Sequence, residues 1–188
     1  MAEKIVAEGI EAHLGERMLS VRPLGGGCIG DVYRAELGEG TPLVAKVDRE
    51  GESHLEREAY MLRYLREKSD LPVPEVYYGS EKLLLMQFIE GSSRFTEGAE
   101  RHAAELLAAL HDITSATYGH ERGTLIGSLS QPNPSTESWT EFFREHRLLY
   151  MANIANEAGR LPAEDLLRVE RLSEKLDELI EDPNPPAL

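Results

Sequence analysis

Apolar and polar positions alternate along residues 18–24 and 32–37, and again along residues 42–48 after the Gly38-Glu39-Gly40 turn, so each segment is predicted as a strand. Residues 52–68 switch period. Leu55, Ala59, Leu62 and Leu65 recur at helical spacing and define one buried face. Residues 73–78 and 82–90 are two further apolar runs, and Gly79-Ser80-Glu81 between them is a hairpin signal. The pattern therefore predicts a five-stranded antiparallel sheet with one helix over residues 1–91. The polar breaker Glu90-Gly91-Ser92-Ser93 ends it, and residues 92–188 read as a second, mostly helical lobe. In that lobe Ala103, Leu106, Leu107 and Leu110 mark one amphipathic helix, which His111 closes, and Leu166, Val169, Leu172, Leu176 and Leu179 mark another over residues 163–180. The fold class is α+β.

Composition narrows the partners. A net charge of −14 with no clustered basic residues disfavours nucleic acid and anionic membrane. No apolar run is long enough to span a bilayer and the first residues lack a signal-peptide pattern, so a cytoplasmic location is expected. Cys28 is the one cysteine, which excludes an intrachain disulfide and fits a reducing compartment. His13, His54, His102, His111, His120 and His146 show no zinc-ligand spacing, and no metal site is expected.

The chemistry concentrates in the turn between the first two strands. Gly25, Gly27, Gly30 and Val32 fill the pattern G-x-G-x-x-G-x-V, with Gly26, Cys28 and Ile29 between them, and Lys46 follows on the third strand. Glycines lack Cβ, so such a hairpin can lay its amides against a polyphosphate. A helix would follow the glycines in a Rossmann or Walker site, whereas here a strand follows. The plain alternative is a glycine-rich surface hairpin. Glu58 falls inside the apolar face of the helix and needs a cation there. Lys46 is the natural partner, since kinases hold a phosphate-binding lysine with a helix glutamate; the alternative is an edge carboxylate paired with Arg63 or Arg66. After the fifth strand, the backbone of Gln87, Phe88 and Ile89 is placed to meet an adenine edge, with Met86 as an apolar wall or as ordinary strand core.

The strings Gly25-Gly26-Gly27-Cys28-Ile29, Leu107-Ala108-Ala109-Leu110-His111, Ile126-Gly127 with Gln131-Pro132-Asn133, and Ser138-Trp139-Thr140-Glu141-Phe142-Phe143-Arg144-Glu145-His146-Arg147-Leu148 resemble the motifs of the fructosamine or ketosamine kinases. That family is protein-kinase-like and sits within the aminoglycoside and choline kinase-like group. The resemblance implies ATP-dependent phosphorylation of a sugar hydroxyl, typically O-3, on a ketosamine, in the service of protein deglycation. One departure is Thr124-Leu125, where the family carries an asparagine and an aromatic. Trp139, Phe143 and Arg147 recur every four residues and are the candidate substrate contacts; the alternative is an amphipathic-helix core of Trp139, Phe142, Phe143 and His146 with Arg147 as a structural ion-pair partner. The His111-Asp112 dipeptide is a helix end, since it lacks the further groups that phosphotransfer needs.

The resemblance further implies that the catalytic His-Gly-Asp-Leu-Trp loop and the ligands of Mg2+ would follow Leu188. The chain is then expected to be an amino-terminal fragment, inactive alone, with no catalytic residue of its own. Two alternatives stand: a natural truncation that binds nucleotide or a partner without turnover, and a kinase of an aminoglycoside, choline or another small alcohol. The resemblance also implies that Cys28 can act as a redox switch through an intermolecular disulfide. Cys28 and an exposed apolar face along residues 163–180 are the two expected routes to a homodimer.

Overall fold

A computed structural model of the chain describes residues 1–25, 31–38, 40–48, 54–91, 94–182 and 185–187. Contacts divide it into two compact units, Met1–Leu110 with Leu125–Leu129, and His111–Thr124 with Ser130–Leu188.

The first unit opens with α1 (Ala2–Leu14), then β1 (Met18–Pro23), β2 (Asp31–Leu37), β3 (Pro42–Val47), α2 (Leu55–Lys68), β4 (Val76–Gly79), β5 (Leu83–Gln87) and α3 (Glu97–His111). The strands form one antiparallel sheet in the order β1-β2-β3-β5-β4. Five strands were expected and five are present. The sheet carries two flanking helices, however, not one. Ala2, Val6 and Ile10 recur every four residues on α1 and pack with Ala35, Leu37, Leu43, Ala45, Val47, Leu83 and Leu85. On the opposite sheet face Leu55 and Ala59 of α2 pack with Leu84, and Val76 and Met86 lean against them. β3 is therefore covered on both sides, which is why Leu43, Val44, Ala45 and Val47 are all buried rather than alternating.

Two features fit α1 to its place. Gly15 takes a left-handed φ of 68° and its N–H donates to the Glu11 carbonyl at 3.1 Å, ending the helix. A Cβ at Gly9 would collide with the Leu83 side chain, so the glycine lets α1 lie close on β5. α3 is different: no residue in it is buried, and Leu107 is 50% exposed.

A short hairpin of β6 (Thr124–Ile126) and β7 (Leu129–Gln131) turns at Gly127, whose φ is +61°. The second unit is helical. α4 (Trp139–Phe143), a π-helical segment (Arg144–Leu149) and α5 (Tyr150–Glu157) run on without a break, and α6 (Ala163–Ser173) and α7 (Leu176–Leu179) follow. The single helix expected over residues 163–180 is interrupted. Arg144 Nε donates to the Ser173 carbonyl at 2.8 Å, taking the acceptor that a continuing helix would offer to Asp177, and Arg144 Nη2 pairs with the Asp177 carboxylate at 2.6 Å. Leu176 beyond the break is buried, while Leu172 and Leu179 are 48% and 64% exposed.

Candidate functional site

The antiparallel register lines up four residues across the sheet. Val32 on β2 stands opposite Lys46 on β3, Lys46 opposite Leu84 on β5, and Leu84 opposite Gly79 on β4. Directly opposed residues share a sheet face, so this row looks toward α2. Lys46 Nζ donates to Glu58 Oε1 at 2.5 Å, with the two side chains 22% and 32% exposed. The pair expected from the sequence is thus formed. Of the competing partners, Arg66 goes elsewhere: it lies 3.9 Å from Glu75 and hydrogen-bonds the Val73 carbonyl at 3.4 Å.

Gly25, the first glycine of the turn, follows the ladder that holds Val32. Leu24 N–H donates to the Val32 carbonyl at 2.8 Å, closing the β1–β2 ladder immediately before Gly25, which is exposed. Gly26, Gly27, Cys28, Ile29 and Gly30 lie outside the described residues. An ammonium has three N–H donors and Glu58 accepts one, so a partly exposed Lys46 beside the end of this ladder fits a polyphosphate ligand.

At the end of β5 one backbone donor of the expected adenine-facing stretch is already engaged. The Gln87 N–H donates to the Glu75 carbonyl at 2.8 Å, so it belongs to the sheet and is not presented to an adenine. The Gln87 side-chain oxygen in turn accepts from the Glu75 N–H at 3.3 Å. Phe88 lies under the Arg34 guanidinium, 4.3 Å from its ring centroid, and Ile89 is 57% exposed. Met86 sits opposite Val44 and packs against the Leu55, Ala59 and Leu84 cluster, which makes it part of the α2 core.

In the second unit Phe143 links the other two candidate substrate contacts, touching Trp139 on one side and sharing a cleft with Arg147 on the other. Trp139 stacks among Tyr118, Phe142 and Phe143 at centroid distances of 5.8, 5.8 and 5.9 Å. Phe143 and Arg147 border an open apolar cleft of about 440 Å³ with Leu148, Met151, Ala152 and Val169. The four-residue spacing does not continue as one α-helical face, because the π-helical segment brings residues five apart together. Arg147 consequently lies over the Phe142 ring at 4.5 Å.

Arg147 is a structural hub. It donates to the Pro132 carbonyl at 2.9 Å, the His146 carbonyl at 2.8 Å and Asn133 Oδ1 at 2.5 Å. Burial pulls its guanidinium below the ordinary value. The buried Asn133 amide also donates to the Arg122 carbonyl at 2.9 Å and to Thr124 Oγ1 at 3.0 Å, so the departure at Thr124 is absorbed into this network. Asp182 was not singled out from the sequence. Its Oδ1 accepts from both the amide and the hydroxyl of Thr140 at 2.8 Å, which caps the start of α4 and holds the Asp182 carboxyl below its ordinary value. Only the acidic residue itself could have signalled this, since 42 positions separate the partners.

Among the described residues no group of three His, Cys, Asp or Glu side chains stands close enough to hold a metal ion. No helix among the described residues is long and apolar enough to cross a membrane.

Comparison with known proteins agrees with this arrangement. The family model described as fructosamine kinase matches residues 1–188. A Synechocystis sp. protein assigned as a ketoamine kinase is 31% identical over 165 residues, covering 84% of this chain and 56% of that protein. The chloroplastic protein-ribulosamine 3-kinase of Oryza sativa subsp. indica is 32% identical over 140 residues, covering 70% and 40%. A crystal structure assigned as a fructosamine-3-kinase of Thermobifida fusca superimposes with a TM-score of 0.80 at 31% identity, over 97% of this chain and 64% of that one. The chain spans about half the length of these curated relatives. A kinase-like sheet with a lysine–glutamate pair on its α2 face, and a family match along the whole chain, identify it as a member of the fructosamine kinase family.

Proposed function

We propose that this chain carries the nucleotide-binding part of an ATP-dependent kinase that phosphorylates a sugar hydroxyl of ketosamines, in protein deglycation. The observation that carries the reading is the Lys46–Glu58 pair on the sheet row that adjoins the glycine turn. ATP, when bound, supplies the phosphoryl group. The glycine-rich stretch 25–30 would hold its phosphates, and Lys46, oriented by Glu58, would contribute a positive charge to them. Val32 forms an apolar cover on the base. With the Gln87 N–H held by Glu75, adenine recognition falls to the backbone at Phe88 and Ile89.

The second unit supports the acceptor side. Arg147 works there as a strut, because three of its five N–H donors hold Pro132, His146 and Asn133. Phe143 is left as the aromatic wall of the adjoining cleft. By this reading the 188 residues bind nucleotide without turnover by themselves, in the cytoplasm.

The test is to express the encoding gene at its natural length and to supply fructosyl-lysine or ribulosyl-lysine with ATP, following transfer by 31P NMR. Phosphate on the sugar 3-hydroxyl is the expected product. Transfer only to an aminoglycoside or to choline would replace the substrate class, and no transfer to any alcohol would overturn the reading.

A further inference from the structure

Gly79 ends β4, and strand interiors disfavour glycine unless another chain approaches closely. Its backbone does not require one: the glycines with positive φ among the described residues are Gly15, Gly40, Gly119, Gly127 and Gly159. Space does. A Cβ at Gly79 would collide with the Cβ of Ala59 on α2, which is fully buried and cannot swing aside. Ala59 is the residue next to Glu58. The two successive α2 residues therefore rest on one sheet row, Ala59 on Gly79 at its β4 end and Glu58 on Lys46 two strands away, with the fully buried Leu84 between.

We propose that Gly79 is a positioning residue for Lys46, because the room it leaves for Ala59 sets the depth at which α2 lies on the sheet and so keeps Glu58 within reach of the ammonium. The role in nucleotide binding rests on the reading given above; the coupling of position 79 to the ion pair does not. A methyl group at position 79 lifts α2 at Ala59, and a carboxylate one residue away loses its hydrogen bond before the rest of the core is exposed. Removing the Ala59 methyl group returns the same space to the same contact.

The experiment uses Gly79→Ala, the double variant Gly79→Ala with Ala59→Gly, and Glu58→Gln as the reference for a broken pair. Acetylation of Lys46 by an N-hydroxysuccinimide ester, quantified by peptide mass spectrometry, reads the pair without any nucleotide. Trinitrophenyl-ATP fluorescence reads binding, and circular dichroism reports folding. Gly79→Ala is expected to acetylate Lys46 about five-fold faster, near the Glu58→Gln rate, and to weaken nucleotide binding by a similar factor. The double variant is expected to recover wild-type behaviour in both. Where Gly79→Ala does not fold, the double variant carries the test alone. Folded Gly79→Ala with wild-type labelling, or a double variant that labels like Glu58→Gln or fails to fold, overturns the proposal. If the labelling follows the expectation while even the wild-type chain binds no nucleotide, the positioning stands and the nucleotide reading falls.

Discussion

Lys46 leaves β3 between Val32 and Leu84, so its ammonium emerges from an apolar row and pairs with Glu58 on the facing stretch of α2, which takes one of its three N–H donors. This pair was legible in the sequence because a glutamate on an apolar helix face carries a desolvation cost that only a cation removes. Gly79 was not legible as a contact, because the hairpin signal that it gave is local and its partner lies 20 positions earlier on another element. Asp182 and His120 carry the acid response. The Thr140 hydroxyl and amide hold the Asp182 carboxyl below its ordinary value, so the unfolded chain binds that proton more tightly. Its stabilisation is complete above the unfolded value of about 3.9 and drains as pH falls through the lower folded one. Asp182→Asn is therefore expected to lower the melting temperature at neutral pH and to lose that difference in acid. Burial pulls His120 below its ordinary value against a smaller opposing effect of Glu121. Folding then prefers neutral His120, and the second unit should lose stability as pH falls below about 6.5. A melting curve measured from pH 7.5 to 5 checks this; His120→Gln should flatten it.

At the scale of elements, the strands and α2 follow from alternation and a four-residue apolar spacing, and their order follows from the hairpin turns. α1 escaped because its buried face is built from Ala2, Val6, Gly9 and Ile10, two of them too small to mark a helix against the surrounding acids. It is nonetheless part of the core. Ile10 is fully buried, and Ile10→Ala is expected to cost about 2–5 kcal/mol in urea unfolding of the first unit. The π-helical segment leaves no mark in composition either, since one extra residue per turn changes which side chains meet and not which are apolar. It turns the spacing of Phe143 and Arg147 into a contact of Arg147 with Phe142. The break after Ser173 likewise depends on Arg144, a distant residue. Arg144→Ala removes that competitor for the Ser173 carbonyl and should cost about 1 kcal/mol, read as a lower urea midpoint for the second unit.

For the whole molecule, each unit exposes apolar side chains. Phe95 and Leu107 are 86% and 50% exposed in the first, and Leu167, Leu172 and Leu179 are 52%, 48% and 64% exposed in the second. Such surfaces associate, and light scattering of the 188-residue protein should show concentration-dependent growth in mass that Leu172→Glu and Leu179→Glu together reduce. A strictly monomeric chain across that range would count against this. The fold class and the family were legible from the strand order and the motif strings; the inner geometry of both units came from contacts between residues far apart in sequence. The central claim concerns the nucleotide. Isothermal titration calorimetry of ATP into the protein is its most direct test: the account predicts one saturable site, with affinity about tenfold or more weaker in Lys46→Ala, the loss of one charge-assisted contact. Equal heats and affinities for the wild-type and Lys46→Ala proteins would contradict it.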